Sequence, residues 1–237
     1  MIAFPPGGWH RGRHRRYDAR MAGYGAVLFD LDGTLLDTLE DIADSVNAVL
    51  ASVGQPGHPA QAYKTFVGDG IRELVIRAFP PEFHSGVPLE RCHARVREEY
   101  AKRWRAKTRP YPGVPELLEE LSRRGTPAAV LSNKPQDFTA SCVRELLPKA
   151  KFSRVYGARP GIPLKPNPAA ALGIARELGV PPARMLYLGD TDTDMRTALA
   201  AGMFPAGALW GFRSETELRE AGARALLKNP ADILSLL

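Results

Sequence analysis

Cysteine is scarce in this chain: two among 237 residues, Cys92 and Cys142, stand 50 positions apart, outside any Cys-x-x-Cys or paired-histidine pattern. That count and spacing argue against a disulfide framework, a thiol-rich metal centre and a dithiol redox pair, and the expectation is reduced thiols in a cytoplasmic protein. Long apolar runs are missing too. None approaches the roughly 20 residues of a membrane-spanning helix, and the amino-terminal stretch has no apolar centre of a secretory signal. Nor is there an acidic surplus, since the net charge is +6. Most of that charge is local: residues 1–22 hold Arg11, Arg13, Arg15, Arg16 and Arg20 against Asp18, which gives +4 and leaves +2 for everything else. With Pro5, Pro6, Gly7 and Gly8 beside them, these residues predict a disordered basic tail, and Met21 is a candidate start. A nucleic-acid arm is the competing reading of the tail.

What the chain does have is one organising run, A-V-L-F-D-L-D-G-T-L-L-D over residues 26–37. A short apolar stretch bounded by Asp-Gly reads as a buried strand, and Asp30 falls at its carboxyl end, where open α/β sheets bind ligands. Residues i and i+2 of an extended segment face the same side, so Asp30 and Asp32 address one substrate together. A carboxylate is ionised at neutral pH and attacks phosphorus without a separate base, while its neighbour handles protons. Two carboxylates repel a phosphoryl group, so a cation is required, and oxygen ligands suit Mg²⁺. A further acid is therefore expected elsewhere.

Downstream, Ile42, Val46, Val49 and Val53 recur at helical spacing from near Thr38 to Gly54. Two further helices are predicted, one over residues 69–79 and one over 88–105, in a stretch without a convincing strand. From Tyr111 the pattern alternates helix and strand. Helices are predicted over 114–124, 137–147, 168–178 and 193–201, and strands over 127–132, 152–156, 185–188 and 206–210; Ser214 and Glu217 form a capping box before a late helix, and 223–227 is a candidate edge strand. This rhythm predicts an α/β fold, a doubly wound parallel sheet, with the intervening helices inserted as a cap. The expected organisation is a tail over 1–22, a core of 23–37 and 108–237, and a helical cap over 38–107.

Three more strand ends or loops carry chemistry. Asp190 and Asp194, in G-D-T-D-T-D, supply more acid than a helix cap needs; Asp190 is the expected metal ligand and Asp194 the expected brace for a basic residue. Ser132 and Asn133, in L-S-N-K, offer neutral phosphate donors. Lys165, before Pro166, offers a point charge for a phosphoryl group.

In the order D-x-D-G-T, S-N-K, K-P and G-D-x-x-x-D, residues 24–237 resemble the haloacid dehalogenase superfamily of aspartate-nucleophile phosphatases. L-D-T-L-E-D-I-A-D, Val67-Gly68-Asp69-Gly70 and L-W-G-F-R resemble its phosphoglycolate phosphatase branch. The resemblance implies a Rossmann-like core, a helical cap and Mg²⁺. It implies Asp30 as nucleophile and metal ligand, Asp32 as acid/base with its carbonyl on the metal, and Asp190 completing the metal site. Thr34, Ser132, Asn133 and Lys165 would hold the phosphoryl group, with Asp194 orienting Lys165. The dehalogenating members lack the second aspartate, so Asp32 points to a phosphatase acting on a small phosphorylated metabolite. Alternatives are a phosphatase or phosphomutase for a nucleotide, sugar phosphate or pyrophosphate, or a nucleic-acid binder using the tail and the basic segment 102–109. In the cap, Arg72 beside flexible Gly68 and Gly70 is expected to contact a substrate carboxylate.

Overall fold

The structure is a computed structural model that describes residues 23–237; the predicted tail, residues 1–22, lies outside the described residues. In chain order the elements are β1 (Ala26–Phe29), β2 (Leu36–Asp37), α1 (Leu39–Ser52), α2 (Tyr63–Phe66), α3 (Ile71–Ala78), α4 (Gly86–Arg103), β3 (Arg109–Pro110) and α5 (Val114–Arg123). Then follow β4 (Ala128–Pro135), α6 (Gln136–Leu146), β5 (Phe152–Ala158), α7 (Ala169–Leu178), β6 (Met185–Gly189), α8 (Asp192–Ala200), β7 (Phe204–Ala208), α9 (Glu215–Glu220) and β8 (Ala225–Leu227).

Six strands form a parallel sheet in the order β5-β4-β1-β6-β7-β8, with β1 at its centre. A strand covered on both faces reads as continuously apolar, and period-two alternation then divides its residues between two cores. Val27 and Phe29 pack with Leu117, Leu118 and Leu121 of α5, whereas Ala26 and Leu28 face Ala171 and Ile174 of α7. The carboxyl ends of β1, β4 and β6 thus open on one rim of the sheet.

The helices between β2 and β3 make a second core. Ile42, Val46 and Val49 of α1 meet Leu74 and Val75 of α3 and Leu89, Cys92, Val96 and Tyr100 of α4, and Phe138 of α6 and Phe212 reach in from the sheet lobe. Two devices hold the outgoing and returning chains side by side. Leu36 and Asp37 pair antiparallel with Pro110 and Arg109, and the buried Asp41 carboxylate accepts from the main-chain N–H groups of Lys107 and Thr108 and from the Thr108 hydroxyl.

The differences from the sequence reading have local causes. The α3 helix starts at Ile71 rather than Asp69 because Gly70 holds φ of 89°, outside helical space. The α4 helix starts at Gly86 with Pro88 inside its first turn, where the main-chain N–H groups have no intrahelical partner and a proline costs nothing. The β7 strand lies over 204–208 rather than 206–210, since Pro205 lacks a donor but its carbonyl still accepts from Arg224. Arg72 turns to solvent on α3 and pairs with Glu90, its side chain 56% exposed. Four of the five cations in the basic segment 102–109 are paired locally: Lys102 and Arg103 with Glu99, Arg105 with Glu145, and Lys107 with Glu40 and Asp44, while Arg109 donates to main-chain carbonyls.

Candidate active site

At the rim, Asp30 follows the last residue of β1 and forms the floor of a cavity of about 70 Å³ between the sheet and the helical insertion. Its Oδ1 accepts from the Lys165 ammonium at 2.7 Å; its Oδ2 accepts no hydrogen bond among the described residues. That second oxygen is left uncommitted, as is Asp32 Oδ2, whose partner Oδ1 is held by Lys134. Lys165 reaches Asp30 from the loop before α7 and donates equally, at 2.7 Å, to Asp194 Oδ1. Asp194 is itself fixed by a capping box: its Oδ2 accepts from the Thr191 N–H and hydroxyl, which ties the start of α8 to the lysine.

Asp190 lies behind Asp30, fully buried, with Oδ1 accepting from the Thr34 hydroxyl at 2.7 Å and Oδ2 from the Phe212 N–H at 2.8 Å. Two glycines make room for it. A Cβ at Gly33 would fall 2.2 Å from Asp190 Oδ2, and one at Gly211 would fall 2.2 Å from Asp190 Cβ.

The electrostatics of this cluster call for a cation. Oxygens of Asp30, Asp190 and Asp194 lie within 4.8 Å of one another. Burial, and then the charge of Asp194, pushes the Asp190 carboxyl up to about 7, against the donors Phe212 and Thr34. The same two causes raise Asp30 well above the carboxylate range despite Lys165. Burial opposes the charge of Lys165, but Asp194 and Asp30 more than offset it. Burial and mutual repulsion both disfavour the ionised carboxylates here, a cation would relieve both, and an all-oxygen donor set fits a hard divalent one. Asp30 and Asp190 retain free lone pairs for one, whereas both oxygens of Asp194 are already spent on Lys165 and Thr191.

Two residues expected to hold phosphate are committed elsewhere. The Thr34 hydroxyl is buried and donates to the Asp190 carboxylate, a charge-assisted bond. Asn133 donates through Nδ2 to the carbonyls of Gly68 and Lys165, each at 3.0 Å, and accepts the Lys165 N–H at 2.8 Å. Its amide therefore aligns the lysine and touches the insertion. Ser132 does line the cavity, its Oγ accepting from the Lys134 N–H.

One residue was missed. Lys134 is buried, donates to Asp32 Oδ1 at 2.6 Å, and lies 4.6 Å from the centroid of the Tyr100 ring. Burial opposes its charge, but Asp32 more than offsets this and its pKa rises. The end of β4 is irregular, with a register shift between Leu131 and Pro135, and this lets Ser132, Asn133 and Lys134 all turn inward. Three successive buried polar residues after an apolar run were the available signal.

Known proteins resemble this chain in sequence and fold. The family model for haloacid dehalogenase-like hydrolases matches residues 27–208. The chain is 34% identical over 212 residues to phosphoglycolate phosphatase 1 of Pseudomonas aeruginosa, covering 88% of this chain and 78% of that protein. It is 32% identical over 214 residues to the N-acetylmuramic acid 6-phosphate phosphatase of the same organism, covering 90% and 94%. A solved structure from Lactobacillus delbrueckii subsp. bulgaricus superposes with a TM-score of 0.83 at 29% identity, over 90% of this chain and 97% of that one.

Proposed function

This chain belongs to the haloacid dehalogenase-like hydrolase family, and on that footing we propose that it is a Mg²⁺-dependent phosphatase hydrolysing 2-phosphoglycolate to glycolate and phosphate through an aspartyl-phosphate. The observation that carries this reading is the free Asp30 Oδ2 on the cavity floor, beside an oxygen already held by Lys165. Asp30 Oδ2 attacks phosphorus and the ester P–O bond breaks. Asp32 gives a proton to the departing oxygen. Water then attacks the phosphorus of the aspartyl-phosphate, Asp32 takes its proton, and phosphate leaves with Asp30 regenerated. Lys165 and the Ser132 hydroxyl hold the phosphoryl oxygens. Asn133 and Thr34 act one step back, aligning Lys165 and Asp190.

Asp30, Asp190 and the main-chain carbonyl of Asp32 would hold Mg²⁺, which supplies charge neutralisation at the phosphoryl group. A cap with an apolar wall limits water to what hydrolysis uses.

Relatives of similar identity are named for different substrates, and the lining of the cavity supports the smaller one. The wall of Val46, Val96 and Phe138 offers no hydrogen-bond partners to the hydroxyls of a sugar, which suits a two-carbon acid better than a substituted sugar acid. A panel of phosphate esters assayed with Mg²⁺ and with chelator tests the reading. The expected result is Mg²⁺-dependent release of phosphate with 2-phosphoglycolate among the best substrates. A clear preference for sugar phosphates or nucleotides would move the reading to one of those classes, and activity independent of divalent metal would overturn the metal assignment.

A further inference from the structure

Resting on the phosphoglycolate reading, we infer that Lys134 is the specificity-determining residue that binds the substrate carboxylate. Among the described residues lining the cavity, the cations are Lys134 and Lys165. Lys165 is committed to two carboxylates, Asp30 and Asp194. Lys134 donates to one oxygen, Asp32 Oδ1, and an ammonium has three donors, so two find no oxygen partner among the described residues. The aromatic face of Tyr100 covers it from the insertion, and the Tyr100 hydroxyl is likewise buried without a partner. With one donor on Asp32 and one side of the ammonium against the Tyr100 ring, a remaining donor on the cavity lining points to an acceptor that the protein does not itself provide.

Covalent geometry places the carboxylate there. In 2-phosphoglycolate the carboxyl carbon is two bonds from the ester oxygen, the atom that Asp32 protonates as it leaves. Lys134 is 2.6 Å from Asp32, so an ester oxygen seated at Asp32 brings the carboxylate beside the ammonium. Among the described residues, the insertion offers no rival cation. Arg72, Arg77 and Arg97 pair with Glu90, Asp69 and Asp137, and none of the three lines the cavity. The neighbouring wall is Val46, Val96 and Phe138, against which an unpaired carboxylate would be strongly disfavoured.

The test compares kcat/KM for 2-phosphoglycolate with that for its neutral carboxamide analogue, in the wild-type protein and in Lys134→Gln. The wild type is expected to prefer the acid, and the variant to lose about 10- to 100-fold of that preference, the scale of one charge-assisted hydrogen bond. An equal loss on both substrates, leaving the ratio unchanged, would overturn the inference and leave Lys134 as a support for Asp32 alone. If the wild type turns over other phosphate esters but shows no preference for the acid, the phosphoglycolate reading fails first and the inference with it. A second measurement needs no variant. An ammonium fixed between Asp32 and Tyr100 reaches one distance, so 3-phosphooxypropionate, with its carboxylate one methylene further out, should show kcat/KM at least about tenfold below 2-phosphoglycolate. Equal turnover of the two acids would overturn the inference even if Lys134→Gln does not fold.

Discussion

Adding one methyl at position 211 is the sharpest probe of how Asp190 is held. Gly211 has no left-handed φ, so the backbone accepts alanine and only space is at issue. A Cβ there would meet Asp190 Cβ at 2.2 Å, Asp190 Oδ2 at 2.5 Å and the Gly33 carbonyl oxygen at 2.5 Å. None of these is the free end of a long side chain, and both Asp190 oxygens are tied, to Thr34 and to Phe212. Overpacking of this kind costs about 1–3 kcal/mol, which for a chain of this size is roughly 2–12 °C in Tm. Because Asp190 must move, the Mg²⁺ concentration giving half-maximal activity should rise as well. Gly173→Ala is the matched control: it lies within α7 with nothing within 4 Å of its built Cβ, and should stabilise by about 0.5–1 kcal/mol. Thermal unfolding in chelator and Mg²⁺ titration of activity read both effects. If Gly211→Ala melts like wild type with an unchanged Mg²⁺ requirement, the packing around Asp190 is not as described.

Three further outcomes follow from the same geometry. The Asp190 carboxyl is raised from an ordinary value of about 4 to about 7 on folding without metal, so the folded state binds its proton more tightly; the stability this one group contributes is fully present below about pH 4 and is lost as pH rises through about 7. In chelator, Tm should therefore be lower at pH 8 than at pH 5, saturating Mg²⁺ should close the gap, and a higher Tm at pH 8 without metal would contradict this. Asp32→Asn should cut kcat by roughly 10² to 10⁴ and accumulate phosphoenzyme on acid quench, whereas full activity would remove Asp32 from proton transfer. Arg72→Ala breaks a solvent-exposed pair worth at most about 1 kcal/mol and should leave kcat/KM for 2-phosphoglycolate within twofold of wild type; a tenfold loss would return Arg72 to the site.

The main lines of fold and site are legible because they are local. An apolar run ending in Asp-x-Asp-Gly-Thr announces β1 and its carboxylates, and the second acidic strand end announces Asp190. Asp194 is legible as a brace because a helix start with three acids has more than it needs. What the sequence conceals depends on partners far along the chain. Thr34 is aimed at a carboxylate 156 positions away, Lys134 at one 102 positions away, and the Asn133 amide at Gly68 and at Lys165. Spacing along a strand cannot distinguish a donor facing substrate from one facing a neighbouring side chain. Arg72 is a different case, since helical phase carries the answer: Ile71 and Leu74 line the cavity, and Arg72, between them in sequence, points elsewhere.

The central claim is that Asp30 carries the phosphoryl group. Rapid acid quench of Asp32→Asn during turnover of 2-phosphoglycolate, followed by peptide mass spectrometry, locates it directly. A phosphoryl group is expected on Asp30, absent when Asp30→Asn is added to the same variant. A phosphoryl group on any other residue would contradict it.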